Sequence, residues 1–278
     1  MRAEDKPSEI YYLYGLTKPE VLATRVKKAL RGMDGTGVNF MKINNIVAVY
    51  GKLPAHEYSA GAIERKVKDI NWLEEKIGEH YSVQEIIMKR QLAIIPFKFC
   101  TIFKTGNRIK DFITQNQAGI KNLLCRLEGK QEWSVKIFRN KELLKKNLLK
   151  LEPGIGEKFK EMESCSGGKA FLMKKKFLQD IDSIVSRIST SQTHELIEIL
   201  KGISVDARQN ETFSSDDVKD EEMIANFSFL IETKDVEKLI SEVDKFTRRY
   251  SGGGLAARYS GPWLPYNFAS LPGVDQLE

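Results

Sequence analysis

The segment Ser260-Gly261-Pro262-Trp263-Leu264-Pro265-Tyr266-Asn267-Phe268 constrains this chain more than any other stretch. Its prolines fix φ and remove backbone donors, so it can neither continue a helix nor run through the middle of a sheet. A covered aromatic ring withdraws roughly 150–250 Å² from water. Trp263, Tyr266 and Phe268, with Pro265 among them, are therefore expected to dock on the chain itself or on a partner. Such a tail closes a structure or recognises something.

A length of 278 residues predicts about two domains, and 41% hydrophobic content gives each a core. The start, Met1 to Pro7, has no apolar run after its charges, and no stretch approaches the ~18 apolar residues of a membrane span. The expectation is a soluble, cytoplasmic chain without a membrane partner. Cys100, Cys125 and Cys165 are widely spaced and form no CxxC, which speaks against a disulfide framework and against a thiolate zinc site. The net charge of +6 is concentrated between Ser134 and Arg187, with 13 Lys and Arg against 7 Asp and Glu; the remainder balances. Lys174, Lys175 and Lys176 stand in that stretch, as a solvated helical face or as a contact for an acidic partner.

Residues 10–15 are β-branched and aromatic and predict a strand. Thr17-Lys18-Pro19-Glu20 has the form of a capping box, and Leu22, Val26, Ala29 and Met33 continue at helical spacing. Residues 38–43 and 46–53 flank Asn44-Asn45, a pair suited to a tight hairpin. Trp72, Leu73, Ile77, His80, Tyr81 and Ile87 mark a helix, and residues 92–95 a short strand before Pro96. A helix over 108–127 follows. Beyond it come a strand at Trp133, Val135 and Ile137, a long helical region broken by a Ser/Thr-rich segment, and a long-looped hairpin over 204–231. A helix from Asp235 and a last strand at 255–259 complete the chain. The prediction is an α+β protein: two ferredoxin-like βαββαβ domains joined by a helical connection, with the aromatic, Pro-rich C-terminal tail docking back. The boundaries are 1–105, a connector at 106–130, 131–260, and a tail at 261–278. Each sheet is expected to carry helices on one face only.

The patterns that carry chemistry fail one by one. Gly167-Gly168-Lys169 is followed by Ala170, where a phosphate-binding loop needs Ser or Thr, and Gly35-Thr36-Gly37 lacks the third glycine of a dinucleotide fingerprint. His194-Glu195-Leu196-Ile197-Glu198 has Glu198 where a zincin helix needs histidine. The acids Asp216, Asp217, Asp220, Glu221 and Glu222 lack calcium-loop alternation. No catalytic residue, cofactor or metal site is expected, and His80 reads as a core histidine. Phe227 and Phe229 occupy a central strand, as stacking rings do in RNA-recognition motifs, but the flanking base and glycine are absent, so core packing is expected. Nucleic acid is thus an unfavoured partner.

Taken together, these segments resemble the gas vesicle protein F/L family. Tyr12-Leu13-Tyr14-Gly15 is similar to the family's first strand and Ile46-Val47-Ala48-Val49 to its hairpin; Trp72, His80 and Val83 stand as in its second helix. Residues Ile95-Pro96-Phe97-Lys98-Phe99-Cys100-Thr101 resemble its Pro-x-Arg-Phe-Gly-Thr signature, with Lys98 for arginine and Cys100 for glycine. Trp133-Ser134-Val135-Lys136, Gly168-Lys169-Ala170-Phe171-Leu172 and Asn226-Phe227-Ser228-Phe229-Leu230 resemble later segments. Most specific is the tail from Ser260 to Phe268, similar to Ser-Gly-Pro-Trp-Pro-Pro-Tyr-Ser-Phe, with Leu264 in place of proline. The resemblance spans roughly Tyr11 to Phe268. It implies a non-enzymatic accessory protein that assists gas vesicle assembly, binds the small hydrophobic shell protein and other accessory proteins, and resides in the cytoplasm or at the vesicle, a minor structural component being one form of that role. It gives Trp72, His80, Pro96, Lys98, Phe99, Trp133, Gly261 and Pro262 structural roles. The alternative is an RNA-binding module using a ferredoxin-like sheet and the basic stretch 134–187.

Overall fold

A computed structural model describes residues 8–23, 30–151, 157, 168–213 and 221–271. The chain forms two compact units, Met1–Gln131 with Leu264–Glu278, and Glu132–Trp263. Residues 106–131 and the segment from Leu264 onward therefore fall with the first unit, and position 261 lies inside a strand.

In the first unit, β1 (Glu9–Thr17) lies between β3 (Ile46–Pro54) and β4 (Ile94–Pro96), and β2 (Val38–Ile43) pairs with β3; all these pairings are antiparallel. A short β5 (Ile102–Phe103) also pairs with β1. The β2–β3 hairpin turns at Asn44, whose φ of 53° is the left-handed conformation that asparagine tolerates. The expected helix through Leu22 and Met33 is replaced in the described residues by 3-10 turns at Pro19–Ala23 and Met33–Gly35. Its cap fails for a physical reason. The Thr17 hydroxyl donates to the Ala93 carbonyl at 2.6 Å, and the Met33 N–H donates to the Tyr14 hydroxyl at 2.8 Å. Val26 and Ala29 lie outside the described residues.

Helix α1 (Ile70–Lys89) is capped by Asp69, whose carboxylate accepts from the N–H groups of Asn71 and Trp72. It packs on the β1 face that carries Tyr12 and Tyr14, burying Val83 and Ile87 against them and Leu53. Helices α2 (Gly106–Gln115) and α3 (Gln117–Leu127) replace the single expected helix; the break falls at Asn116, whose side chain donates to the Phe112 carbonyl. They cover the opposite face of the same sheet. A Cβ on Gly106 would lie 3.2 Å from Tyr11 and Met41, and Tyr11 points away from Tyr12 by strand alternation. Phe112 meets Phe97 and Phe103 at centroid distances of 6.1 and 5.9 Å. The expectation of helices on one face only does not hold for this sheet.

The second unit repeats the strand order: β8 (Glu222–Glu232) lies between β7 (Asp206–Gln209) and β6 (Lys130–Arg139), and β9 (Leu255–Trp263) flanks β6 antiparallel. Helices α4 (Lys141–Leu151), α5 (Gly168–Ile203) and α6 (Val236–Tyr250) accompany it. Its core joins Val135 and Ile137 of β6, Phe229 and Ile231 of β8, Leu196 and Leu200 of α5, and Leu239 and Val243 of α6. The Ser/Thr-rich segment does not break α5, because the Ser189 hydroxyl turns back to the Val185 carbonyl at 2.7 Å. Thr247 ties α6 to β9, donating to the Ala257 carbonyl and accepting from its N–H. Both sheets are antiparallel, and the architecture is mixed α+β.

Candidate functional site

The tail divides at Leu264. Trp263 ends β9, is 51% exposed, and its indole N–H donates to the Ser260 hydroxyl at 3.1 Å. The final strand runs four residues further than the pattern at 255–259 predicts, ending opposite Glu132 across a bulge. An edge position admits Pro262, which has no ladder bond to donate. Gly261 has φ 153° and passes so close to Trp133 that an added Cβ would stand 2.8 Å from its indole. Trp133, itself buried, has Tyr259 at 6.0 Å between centroids. The Gly261-Pro262 pair and Trp133 are thus one packing unit, and Trp263 is not part of the seat that holds Tyr266.

From Leu264 to Leu271 the chain belongs to the first unit, with Pro265 and Phe268 buried and Tyr266 half-buried. Leu264, Pro265, Phe268, Ala269 and Leu271 are buried, and Leu264 joins the core that holds Tyr12, Tyr14 and Val83. The Tyr266 hydroxyl reaches two acceptors, Gln84 Oε1 at 2.8 Å and the Phe97 carbonyl at 3.0 Å. That carbonyl also receives His80 Nε2 at 2.9 Å and Gln84 Nε2 at 2.9 Å. A carbonyl can only accept, so His80 carries its proton on Nε2 and its Nδ1 accepts from the Tyr12 hydroxyl at 2.8 Å. The Tyr12 hydroxyl in turn accepts from the Cys100 N–H at 3.1 Å. Tail, helix α1, strand β1 and the turn after β4 therefore share one buried polar chain.

Burial sets the electrostatics of this seat. His80 is held neutral, its pKa lowered to about 4 by desolvation against the opposing hydrogen bond to Phe97. Burial raises the Tyr12 and Tyr266 phenols and pushes the Cys100 thiol up to about 12. These groups hold protons fixed at neutral pH, which suits a structural joint rather than proton transfer. Phe99 stands edge-on to His80, Tyr12 and Trp72 with centroids 6.0–6.5 Å apart. Lys66 lies over the Trp72 ring at 5.6 Å, and Pro96 is buried at the end of β4. Lys98 is exposed, and its carbonyl closes the turn by accepting from the Thr101 N–H and hydroxyl. Cys100, at φ 67°, occupies a left-handed position that glycine adopts without strain.

Of the positions the sequence pattern singled out, Trp72, His80, Phe99 and Tyr266 lie together, Phe99 beside both Trp72 and His80 and the Tyr266 hydroxyl 3.4 Å from His80 Nε2; Pro96, Pro265 and Phe268 are each buried in the first unit. The pattern did not single out Gln84, Tyr12 or the Phe97 carbonyl. Gln84 had a detectable signal: a polar residue four positions after His80, on the same apolar helix face. Lys175 and Lys176 are exposed on α5, while the side chain of Lys174 lies outside the described residues. Phe229 is fully buried, and the half-buried Phe227 packs against the same core, its ring stacked on Phe229 with centroids 6.0 Å apart. Among the described residues no group of acids, histidines and cysteines is placed to hold a metal ion, and no helix is long and apolar enough to cross a membrane. Of the acidic loop, Asp216, Asp217 and Asp220 lie outside the described residues; Glu221 pairs with Arg258, and Glu222 with Arg139 and Lys141.

Residues 10–270 match the family model described as "Gas vesicle synthesis protein GvpL/GvpF". The chain is 20% identical to gas vesicle protein L of Streptomyces sp. (strain CB03234), over 97% of this chain and 96% of the relative. It is 24% identical to gas vesicle protein F of Microcystis aeruginosa (strain PCC 7806), over 94% and 98%. The crystal structure of GvpF from Anabaena sp. PCC7120 superposes with a TM-score of 0.71 at 20% identity, covering 95% of this chain and 99% of that one. For GvpF from Microcystis aeruginosa the TM-score is 0.64 at 21% identity, with 94% and 99% covered. At such identities the structural likeness speaks for the fold, while the family model spans almost the whole chain. This chain belongs to the gas vesicle GvpL/GvpF family.

Proposed function

We propose that this protein is a non-enzymatic accessory factor of gas vesicle assembly that binds the small hydrophobic shell protein. It acts in the cytoplasm, with other gas vesicle accessory proteins as further partners. The observation that carries this reading is the family match over residues 10–270, whose description names gas vesicle synthesis. A further observation supports it: the titratable groups of the tail seat are locked by burial. Both units are read as ferredoxin-like, on the strand order each sheet displays.

The tail acts as a fixed clamp on the first unit rather than as a lid that a partner lifts. A displaced tail would uncover Leu264, Phe268 and Leu271 and leave the Gln84 and Phe97 acceptors without Tyr266, a combined cost of several kcal/mol. The test is complementation. In a host whose gas vesicle cluster lacks its F and L proteins, this chain is expected to restore vesicles visible by electron microscopy, and a chain ending at Trp263 is expected to fail because the first unit melts early. Failure of the intact, soluble chain to restore any vesicle would overturn the assembly role; full activity of the shortened chain would overturn the clamp. No specific observation favours the RNA-binding reading.

A further inference from the structure

We infer that the first three turns of α5, with the adjoining part of α4, dock an acidic segment of a protein partner. Helix α5 has 36 residues, a length of about 54 Å, whereas the 10 residues of β6 span about 33 Å. Among the described side chains, those that α5 gives to the core begin at Ile181 and end at Ile203, about 35 Å of helix. The turns before Ile181 therefore reach about 20 Å past the length that the sheet covers.

Charge and exposure specify what meets this overhang. Four lysines and no acid stand between Gly168 and Gln179. Lys175 and Lys176 are exposed there, Lys146 is exposed on α4, and none of the three has an ion pair among the described residues. Their neighbours do: Lys145 is held by Asp182 at 2.9 Å and by Glu142, and Lys141 by Glu222. A run of lysines alone is an ordinary solvated face. Here it carries a ring as well, Phe171, which is 69% exposed. Lys175 and Phe171 precede Asp182 by seven and eleven residues, so all three fall on one stripe of α5. Asp182 is the acid through which α5 holds α4, and two and three turns further back the same stripe presents a cation and a ring. A partner completes it with the signs reversed, setting carboxylates on Lys175, Lys176 and Lys146 and a large apolar side chain on Phe171. One ring gives too little apolar area to hold a lipid surface firmly, and it lacks the succession of rings on which single-stranded RNA stacks. This inference does not rest on the shell-protein reading.

The test is fluorescence anisotropy of the intact chain with a labelled peptide of three Glu-Glu-Leu-Ala repeats. Its Gln-Gln-Leu-Ala counterpart, an oligouridine RNA and vesicles of phosphatidylglycerol serve as controls. The acidic peptide is expected to bind with a Kd of about 100 μM or tighter at low salt and about tenfold more weakly in about 0.5 M salt. Phe171→Ala and Lys175→Glu should each weaken it about tenfold with melting unchanged, since both side chains are exposed, and Lys146→Glu should do the same from α4. No binding of the acidic peptide, equal binding of the glutamine peptide, binding of RNA or vesicles in its place, or unaltered affinity in all three variants would overturn the proposal.

Discussion

His80, beside the Tyr266 seat, is neutral: the imidazole accepts from Tyr12 on one side and donates to the Phe97 carbonyl on the other, and a second ring proton would set donor against donor at Tyr12. The folded pKa of about 4 lies below the ordinary histidine value of 6.5. Between these values the unfolded chain binds a proton that the folded chain refuses, so stability falls as pH drops from about 6.5 to 4 and levels off below that. The loss attributable to His80 is about 3 kcal/mol, and thermal melts across pH 4–7 should reveal a slope that His80→Gln flattens. Gly261 supplies a second residue-level prediction. An alanine there would place Cβ 2.8 Å from the Trp133 indole at a φ of 153°, and Gly261→Ala should destabilise by about 3 kcal/mol in denaturant titration. The contact between Gly261 and Trp133 gives the Ser-Gly-Pro-Trp motif its physical reason, which spacing along the sequence does not disclose because its partner lies over a hundred positions away.

At the scale of elements, the strands were readable and the first crossover was not. The β-branched and aromatic run at residues 10–15 and the Asn44-Asn45 turn between residues 38–43 and 46–53 point to β1 and the β2–β3 hairpin locally, and those elements form. The Thr17 capping box is equally good as a local pattern, yet the hydroxyl finds Ala93 on β4, and a long-range bond overrides the local one. The Ser/Thr-rich segment of α5 is the converse case, where hydroxyls that disfavour a helix in isolation turn back onto its own carbonyls. The tail behaves as an element of the first unit. Tyr266→Phe removes the donor to Gln84 and should cost about 1–2 kcal/mol. Ending the chain at Trp263 also exposes the surface beneath Leu264, Phe268 and Leu271 and should cost about 5 kcal/mol. Calorimetry of the two variants checks both; a shortened chain melting with the intact one would reject the clamp.

Across the whole molecule, element order read from the sequence leads to two antiparallel sheets with the same internal strand order. Periodicity also pointed to one helix over 108–127, where two form, and assigned it to a connector, because an amphipathic pattern states that a face is buried and not what buries it. The two helices cover the far face of the first sheet, through Gly106 beside Tyr11 and Met41 and through Phe112 beside Phe97 and Phe103. Of the tail seat, the tail rings and His80 were legible as apolar or family-like positions, whereas Gln84 and the Phe97 carbonyl become visible once β4 and α1 are side by side. The most direct measurement is binding of the purified, intact chain to the small gas vesicle shell protein over a salt series, with RNA as competitor. Binding that persists as salt rises and that RNA does not displace is the predicted result. Binding to RNA alone, lost as salt rises, would contradict the assembly role.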